Sequence, residues 1–141
     1  MKADPIFPNV TGAQLTSLEK KEFSWFFTFT DSISVTTAGA WRLFATEGIV
    51  VTSEDDGQQF GLPAPVDASV NVLSALKNHS IRTSRIDPST GDLILSFSDC
   101  KLLQFLQMSC GYEAWHLWVG SENFICTGGG EIAIFKDKKP S

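Results

Sequence analysis

Alternation of apolar and polar residues recurs along most of the chain and predicts short β-strands, because strand side chains have a period of two. The clearest case is EFSWFFTFT at residues 22–30, where Phe23, Trp25, Phe27 and Phe29 share one face. A DS turn and an ISVTT segment follow, which together indicate a β-hairpin. The same pattern predicts ten strands, at residues 22–30, 33–37, 40–45, 48–53, 80–87, 92–98, 101–108, 112–119, 123–127 and 131–135.

One segment has a helical period instead. In PVDASVNVLSALKN the apolar residues recur at helical spacing, which predicts a single α-helix near residues 65–77. Pro65 suits the start of a helix, and Asp67 or Ser69 can cap it.

Many short strands separated by turns, together with one helix, predict a mainly β fold. We expect an antiparallel β-sandwich or half-open barrel in one domain over residues 1–141, with residues 1–11 and 136–141 as flexible tails. A weak internal repeat aligns FFTFTDSISV with LILSFSDCKLLQF, and each copy is followed by a Trp-x-Leu strand, at Trp41 and at Trp115. Either the chain contains two related hairpin-plus-strand units, or the similarity is a chance result of its β-rich composition.

The net negative charge of the chain indicates which classes of partner it can bind. Without the last six residues, KDKKPS, the chain has 8 basic and 15 acidic residues. Such a body repels nucleic-acid phosphates and attracts basic proteins, so we expect no nucleic-acid partner. No apolar segment has the length of a signal core or a membrane helix, which predicts a soluble, cytoplasmic protein with no membrane partner.

Three cysteines without C-x-x-C spacing argue against a disulfide framework or a zinc site. We expect Cys100, Cys110 and Cys126 to be small buried apolar residues in a reducing compartment. His79 and His116 lack any signature of nucleophilic catalysis.

The sequence TSEDDGQQFGLPAP contains the densest group of carboxylates, Glu54, Asp55 and Asp56, followed by Gln58. Consecutive acids do not match the alternating ligands of an EF-hand, so we predict no metal site and no cofactor. The run Gly128–Gly130 lacks the Gly-Lys-Ser/Thr of a phosphate loop and predicts a turn with left-handed backbone positions.

The tryptophans predict a filled core. We expect Trp25, Trp41 and Trp115 inside, whereas Trp118 lies three residues after Trp115 on the same strand and therefore faces outward. The alternative is that these rings line a ligand cavity.

The runs WRLFATEGIVVTSEDDGQQFGLPAPVDA, STGDLILSF, GYEAWHLWV and GGGEIAIF resemble, in their order, a family of small uncharacterised bacterial proteins. This resemblance spans about residues 15–135 and implies no activity. Small size and acidity also resemble the immunity proteins of toxin–immunity loci, including those of contact-dependent growth inhibition.

The second resemblance implies a non-enzymatic protein that binds and neutralises a cognate toxin domain, a basic nuclease. From charge and strand parity, the partner-binding residues would be Glu54, Asp55, Asp56, Gln58, Trp118 and Glu122. Asp55 or Asp56 could instead cap the turn, which would move the contact to acids at strand ends. Two other functions stay open: a small-molecule or lipid-binding β-barrel module with an aromatic-lined cavity, and an enzyme with Glu113 and Glu131 as its carboxylate pair.

Overall fold

The computed structural model describes residues 4–136, which form eleven β-strands and one α-helix. The elements are β1 (Leu15–Lys21), β2 (Ser24–Phe29), β3 (Ile33–Thr37), β4 (Trp41–Ala45), β5 (Gly48–Thr52), α1 (Ala68–Leu76), β6 (Ile81–Ile86), β7 (Leu93–Phe97), β8 (Leu102–Phe105), β9 (Trp115–Val119), β10 (Glu122–Cys126) and β11 (Ile132–Lys136).

The strands form two antiparallel sheets, as predicted for a β-sandwich. One sheet has six strands in the order β1-β2-β3-β9-β10-β11, and the other has five in the order β5-β4-β8-β7-β6. All ten predicted strands are present. The additional strand is β1, LTSLEKK, whose two apolar residues, Leu15 and Leu18, give too weak an alternation to be recognised.

Aromatic side chains fill the space between the sheets. Trp25, Trp41 and Trp115 are only 4%, 1% and 1% exposed, which confirms the prediction that they belong to the core. Trp41 meets Trp25 and Phe27 edge-to-face, with ring centroids 5.0 and 5.3 Å apart. Such pairs add roughly 0.5–1.5 kcal/mol each to the burial of the rings. These rings pack on one another, which does not favour the cavity alternative.

The internal repeat has a structural counterpart. Strands β1 to β5 form one unit and β6 to β10 form another, and each unit places three strands in one sheet and two in the other. Each unit adds its last two strands to the sheet of the other in the same way. β4 of the first unit pairs with β8 of the second, and β9 of the second pairs with β3 of the first. We call β1–β5 the first unit and β6–β10 the second; β11 has no equivalent.

The two units also contain equivalent hydrogen bonds. In the first unit Gln14 N donates to Thr30 Oγ1 at 3.0 Å, and in the second Ser80 N donates to Ser98 Oγ at 3.3 Å. Gln14 and Ser80 themselves form an isolated antiparallel bridge. The bridge thus joins equivalent positions of the two units.

Helix α1 is shorter than the predicted helix at residues 65–77. Asp67 is its N-cap, with the carboxylate accepting the Val70 N–H at 3.1 Å, so the preceding prolines remain in the connection from β5. Its buried residues include Val72 and Leu76, whereas Val70 is 57% exposed. The helix contacts β1 and β5.

The N-terminal segment differs from the expected flexible tail in its described part, residues 4–11. Ile6 forms an antiparallel bridge with Ile86 of β6, and Val10 is buried. Lys136 is the last residue of β11 rather than part of a tail. The remaining tail positions, 1–3 and 137–141, lie outside the described residues.

Candidate functional site

Six connections meet at one end of the sandwich, which we call the loop end. They are residues 22–23, 38–40, 53–67, 87–92, 106–114 and 127–131. These segments contain nine carboxylates and no Lys, Arg or His: Glu22, Glu54, Asp55, Asp56, Asp67, Asp87, Asp92, Glu113 and Glu131. The connections at the opposite end, including residues 77–80 and 98–101, carry both signs of charge. The fold therefore concentrates negative charge at the loop end.

The predicted acidic segment divides into structural and free carboxylates. Asp55 forms a capping box with Thr52 in the 3-10 turn Ser53–Asp55, where its Oδ2 accepts the Thr52 N–H at 2.9 Å. Asp56 accepts the Ala68 N–H at 3.0 Å and lies 3.6 Å from Lys20 Nζ. Both are half-buried, whereas Glu54 is exposed. Asp55 and Asp56 thus hold the connection in place, and Glu54 remains available to a partner.

A closed loop projects from this acidic segment. Gly57 N donates to Val66 O at 2.8 Å, and Val66 N donates to the carbonyl of Gln58 at 2.7 Å. Between these two bonds the residues from 59 to 65 are all exposed. Phe60 is 67% and Leu62 is 49% exposed at its tip. Phe60 has a φ of 47°, an uncommon conformation for a bulky residue. We call residues 57–66 the apolar-tipped loop.

Two adjoining clefts lie beside the β3–β4 connection, and Ala38 and Gly39 line both. The first has a volume of about 260 Å³ and is bounded by Lys20, Phe23 and Glu54. The second has about 370 Å³ and is bounded by Met108 and Tyr112, among others.

Two aromatic residues that line these clefts, Phe23 and Tyr112, are not part of the core. Phe23 is 85% exposed and Tyr112 is 81% exposed. Phe23 was predicted to belong to the strand at residues 22–30, but it lies in the β1–β2 turn, where Glu22 has a φ of 56°. The turn redirects its ring away from the core face of β2. The loop end therefore combines exposed aromatic rings with carboxylates.

A buried carboxylate organises the connections of the second unit. Asp92 Oδ2 accepts from Gln104 Nε2 and its Oδ1 accepts the Gln107 N–H, each at 2.9 Å. The Gln107 side chain in turn donates to the carbonyls of Tyr112 and Thr127 at 2.9 and 2.8 Å. Three separate connections are thus tied together by Asp92 and Gln107.

Glycines let the same connections approach closely. A Cβ placed on Gly91 would lie 2.6 Å from Gly130 Cα, and one on Gly128 would lie 2.6 Å from Gly111 Cα. Gly129 and Gly130 have φ values of 83° and 87°, which confirms the predicted left-handed turn. The Gly91 carbonyl accepts the indole N–H of Trp115 at 2.9 Å.

Asp87 closes the β6–β7 connection. Its carboxylate accepts the N–H groups of Thr90 and Ser89 at 3.0 and 2.8 Å, and these bonds hold the pKa of Asp87 below its ordinary value. Glu113 and Glu131, the carboxylate pair of the enzyme alternative, are both exposed on neighbouring connections.

Trp118 and Glu122 lie away from the other predicted partner-binding residues. Trp118 faces outward on the six-stranded sheet, half-buried and stacked on His116 with ring centroids 4.7 Å apart. His116 Nε2 is also 3.0 Å from Asn123 Oδ1. Glu122 pairs with Val119, at the end of β9 opposite the loop end. The structure therefore groups Glu54, Asp55, Asp56 and Gln58 but separates them from Trp118 and Glu122.

A second polar cluster, not recognised in the sequence, lies at the opposite end. His79 Nδ1 is 3.1 Å from Ser98 Oγ, and His79 Nε2 is 3.6 Å from Asp99 Oδ2. Burial raises the pKa of Asp99, but hydrogen bonds and charge from Lys101 outweigh it and lower the pKa overall. Ser98 Oγ accepts the Ser80 N–H, and at the equivalent position of the first unit Thr30 Oγ1 accepts the Gln14 N–H. Among the described residues no histidine is hydrogen-bonded to Thr30, which indicates a structural role for Ser98.

Two of the three cysteines differ from expectation. Cys126 is buried as predicted, but Cys100 and Cys110 are exposed. Among residues 4–136, no group of three or more His, Cys, Asp and Glu side chains is placed to hold a metal ion. No helix in that range is long and apolar enough to cross a membrane.

Comparisons of the chain with protein-family models, with curated proteins and with solved structures found no match. The two resemblances described from the sequence therefore stay predictions.

Proposed function

We propose that this chain is a cytoplasmic immunity protein, a non-enzymatic inhibitor that binds a toxin domain through its loop end. The toxin domain would be basic, as expected of a nuclease whose active site binds phosphates. The observation that carries the proposal is the composition of the loop end, where the connecting segments contain nine carboxylates and no cationic residue, and where Phe23 and Tyr112 are exposed beside Glu54 and Glu113.

Charge and apolar surface would act at different stages of binding. Concentrated charge of one sign steers a complementary partner and raises the association rate by roughly 10–1,000-fold at low salt. Aromatic side chains are then typical anchors in the desolvated centre of an interface. We assign that role to the exposed rings of Phe23, Phe60 and Tyr112. Glu54 lines a cleft with Phe23, and Glu113 lines one with Tyr112.

The rigidity of the loop end supports inhibition by a preformed surface. Asp55 and Asp56 fix the segment that carries Glu54, and two backbone hydrogen bonds close the apolar-tipped loop. A surface that is ordered before binding loses less conformational entropy on association. Of the carboxylates predicted as contacts, Glu54 would therefore contact the partner, whereas Asp55 and Asp56 would hold Glu54 in position.

The test is co-expression of the tagged protein with the polypeptide encoded immediately upstream of its gene. We expect salt-sensitive capture of a basic domain, rescue of growth and protection of cellular RNA. The double variant Glu54→Lys/Glu113→Lys should reduce the association rate by about 10-fold or more at low salt, because it reverses exposed charge without removing an internal hydrogen bond.

The control is Glu47→Lys, a single charge reversal at an exposed residue in the β4–β5 turn at the opposite end. It should leave the association rate nearly unchanged. Absence of capture and of rescue would refute the immunity function. Equal losses in the control and in the double variant would instead place the interface away from the loop end.

A further inference from the structure

Strand β11 has a free edge in the six-stranded sheet. It pairs only with β10 among the described strands, and it is the strand that has no equivalent in the other sheet. Its sequence, IAIFK, is apolar, yet Ile134 is 49% and Phe135 is 48% exposed. An exposed apolar edge strand is a template for the addition of another strand.

Each of the other sheet edges is covered or charged along part of its length, although Ile49 of β5 is 61% exposed. Strand β1 contacts α1 and ends in Glu19, Lys20 and Lys21, and β5 also contacts α1. The described part of the N-terminal segment lies against β6 through the Ile6–Ile86 bridge. Both covering and charge are common means of blocking edge-to-edge pairing. Within residues 4–136 no strand other than β10 pairs with β11, and Lys136 is the only charged residue of the strand.

The hydrogen-bonding groups of this edge can be assigned from its register. Thr127 N donates to Glu131 O at 2.8 Å, in continuation of the β10–β11 pairing. Backbone groups alternate between the two sides of a strand, so those of Ala133 and Phe135 point toward β10. Those of Ile132, Ile134 and Lys136 therefore point toward the free edge.

We propose that β11 pairs antiparallel with β11 of a second copy of this chain, with Ile134 on the two-fold axis. An antiparallel two-fold pair must place outward-pointing residues opposite one another, which this register does for Ile134 with Ile134 and for Ile132 with Lys136 of the copy. The two six-stranded sheets then become one continuous sheet.

The side chains of β11 are compatible with this register. On one face Phe135 lies opposite Ala133 of the copy, so a large ring meets a small side chain on both sides of the axis. On the other face the β-branched Ile134 meets itself, and the aliphatic stem of Lys136 lies beside Ile132 of the copy. Within β11 no two like charges come opposite each other.

The expected dimer is weak. A single strand pair buries less surface than the roughly 1,200–2,000 Å² of stable interfaces, so we expect a dimer that forms only at high protein concentration. The paired edge lies beside the 127–131 connection, but β1 and β2 are at the opposite edge of the sheet, so pairing leaves residues 22–23 and 53–67 of the loop end away from the seam. The dimer is therefore independent of the proposed toxin binding and would present two loop ends.

Sedimentation of the full chain over a range of concentrations tests the dimer. We expect a monomer–dimer equilibrium, and Ile134→Lys should raise the dissociation constant more than 10-fold because two ammonium groups would meet on the axis. Ile49→Lys, at another exposed edge-strand isoleucine, is the matched control and should leave it unchanged. A protein that stays monomeric at several hundred micromolar would overturn the proposal.

Cross-linking tests the register in a Cys100→Ser/Cys110→Ser background, which removes the exposed thiols. Ile134→Cys should form a disulfide-linked dimer on mild oxidation, since paired Cα atoms lie about 5.5 Å apart. Ile132→Cys should not, because its copy would be about 13 Å away. Equal cross-linking at both positions, or cross-linking at Ile132 alone, would reject this pairing.

Discussion

The two units of the sandwich have the same strand order but differ in how they close the loop end. In the second unit the β6–β7 connection spans residues 87–92 and brings the Gly91 carbonyl to the Trp115 indole at 2.9 Å. In the first unit the equivalent β1–β2 turn is only Glu22 and Phe23. The Trp41 indole N–H is buried and has no hydrogen-bond partner among the described residues.

For the β1–β2 and β6–β7 connections, the difference in length accounts for whether a backbone carbonyl reaches the core indole. The long connections of the second unit pack against one another through hydrogen bonds of Asp92 and Gln107 and through close contacts between glycines. The short turn of the first unit leaves Phe23 outside and a cleft beside it. The first unit therefore contributes more of the exposed surface that we assign to binding.

The largest expected effect comes from the closest contact of the second unit. Gly91→Ala places a Cβ within 2.6 Å of Gly130 Cα and at a φ of 79°, so we expect a loss of about 3 kcal/mol or more in the free energy of unfolding. Gly120→Ala is the control, because Gly120 has a φ of 62° but no neighbour within 4 Å, and should lose about 1 kcal/mol. Urea denaturation measures both, and similar losses would show that the glycine contact is not tight.

A smaller effect should separate the two carboxylates that organise the units. Asp92→Asn should cost about 2 kcal/mol, because an amide cannot accept from both Gln104 and Gln107. Rotation of Gln104 does not relieve this, since its Oε1 accepts from Arg42 at 2.9 Å.

In the first unit, Asp56→Asn keeps an acceptor for the Ala68 N–H and loses mainly a partly exposed ion pair with Lys20. We expect it to cost about 0.5 kcal/mol in the same denaturation measurement. A larger loss for Asp56→Asn than for Asp92→Asn would reverse the comparison between the units.

The smallest expected difference between the two units concerns the two indole N–H groups. Trp115→Phe and Trp41→Phe remove similar volume from the core, but only the first leaves the Gly91 carbonyl without its indole donor. We expect Trp115→Phe to be more destabilising by about 1 kcal/mol. If the two variants unfold at the same urea concentration, the Trp41 N–H has a partner of equal value, such as a buried water.

The sequence predicted the sheets well because most strands alternate clearly. Phe27 and Phe29, or Leu93 and Leu95, face the core at the expected spacing. Strand β1 was missed because an edge strand needs few apolar residues, and its polar positions are satisfied by solvent. Phe23 was misplaced because its alternation continues into a turn that only the backbone conformation at Glu22 reveals.

The candidate site was less predictable than the fold. The acidic run was visible, but sequence cannot show that Asp55 and Asp56 accept backbone N–H groups while Glu54 does not. That Glu22, Glu113 and Glu131 share one end of the sandwich with Glu54 depends on which strand ends meet, which is a property of topology. Trp118 was correctly expected to face outward, yet parity along one strand cannot show which end of the sheet it occupies.

The exchange of strands between the sheets has a consequence for how this chain is made. β3 obtains its second neighbour only when Trp115–Val119 has been synthesised, so the first unit leaves the ribosome with an unfinished sheet. Pairings between distant segments are slow to form, which places the expected folding time nearer milliseconds to seconds than microseconds. The nascent chain therefore exposes an unpaired apolar strand edge through most of translation, and a chaperone bound to that edge would prevent aggregation.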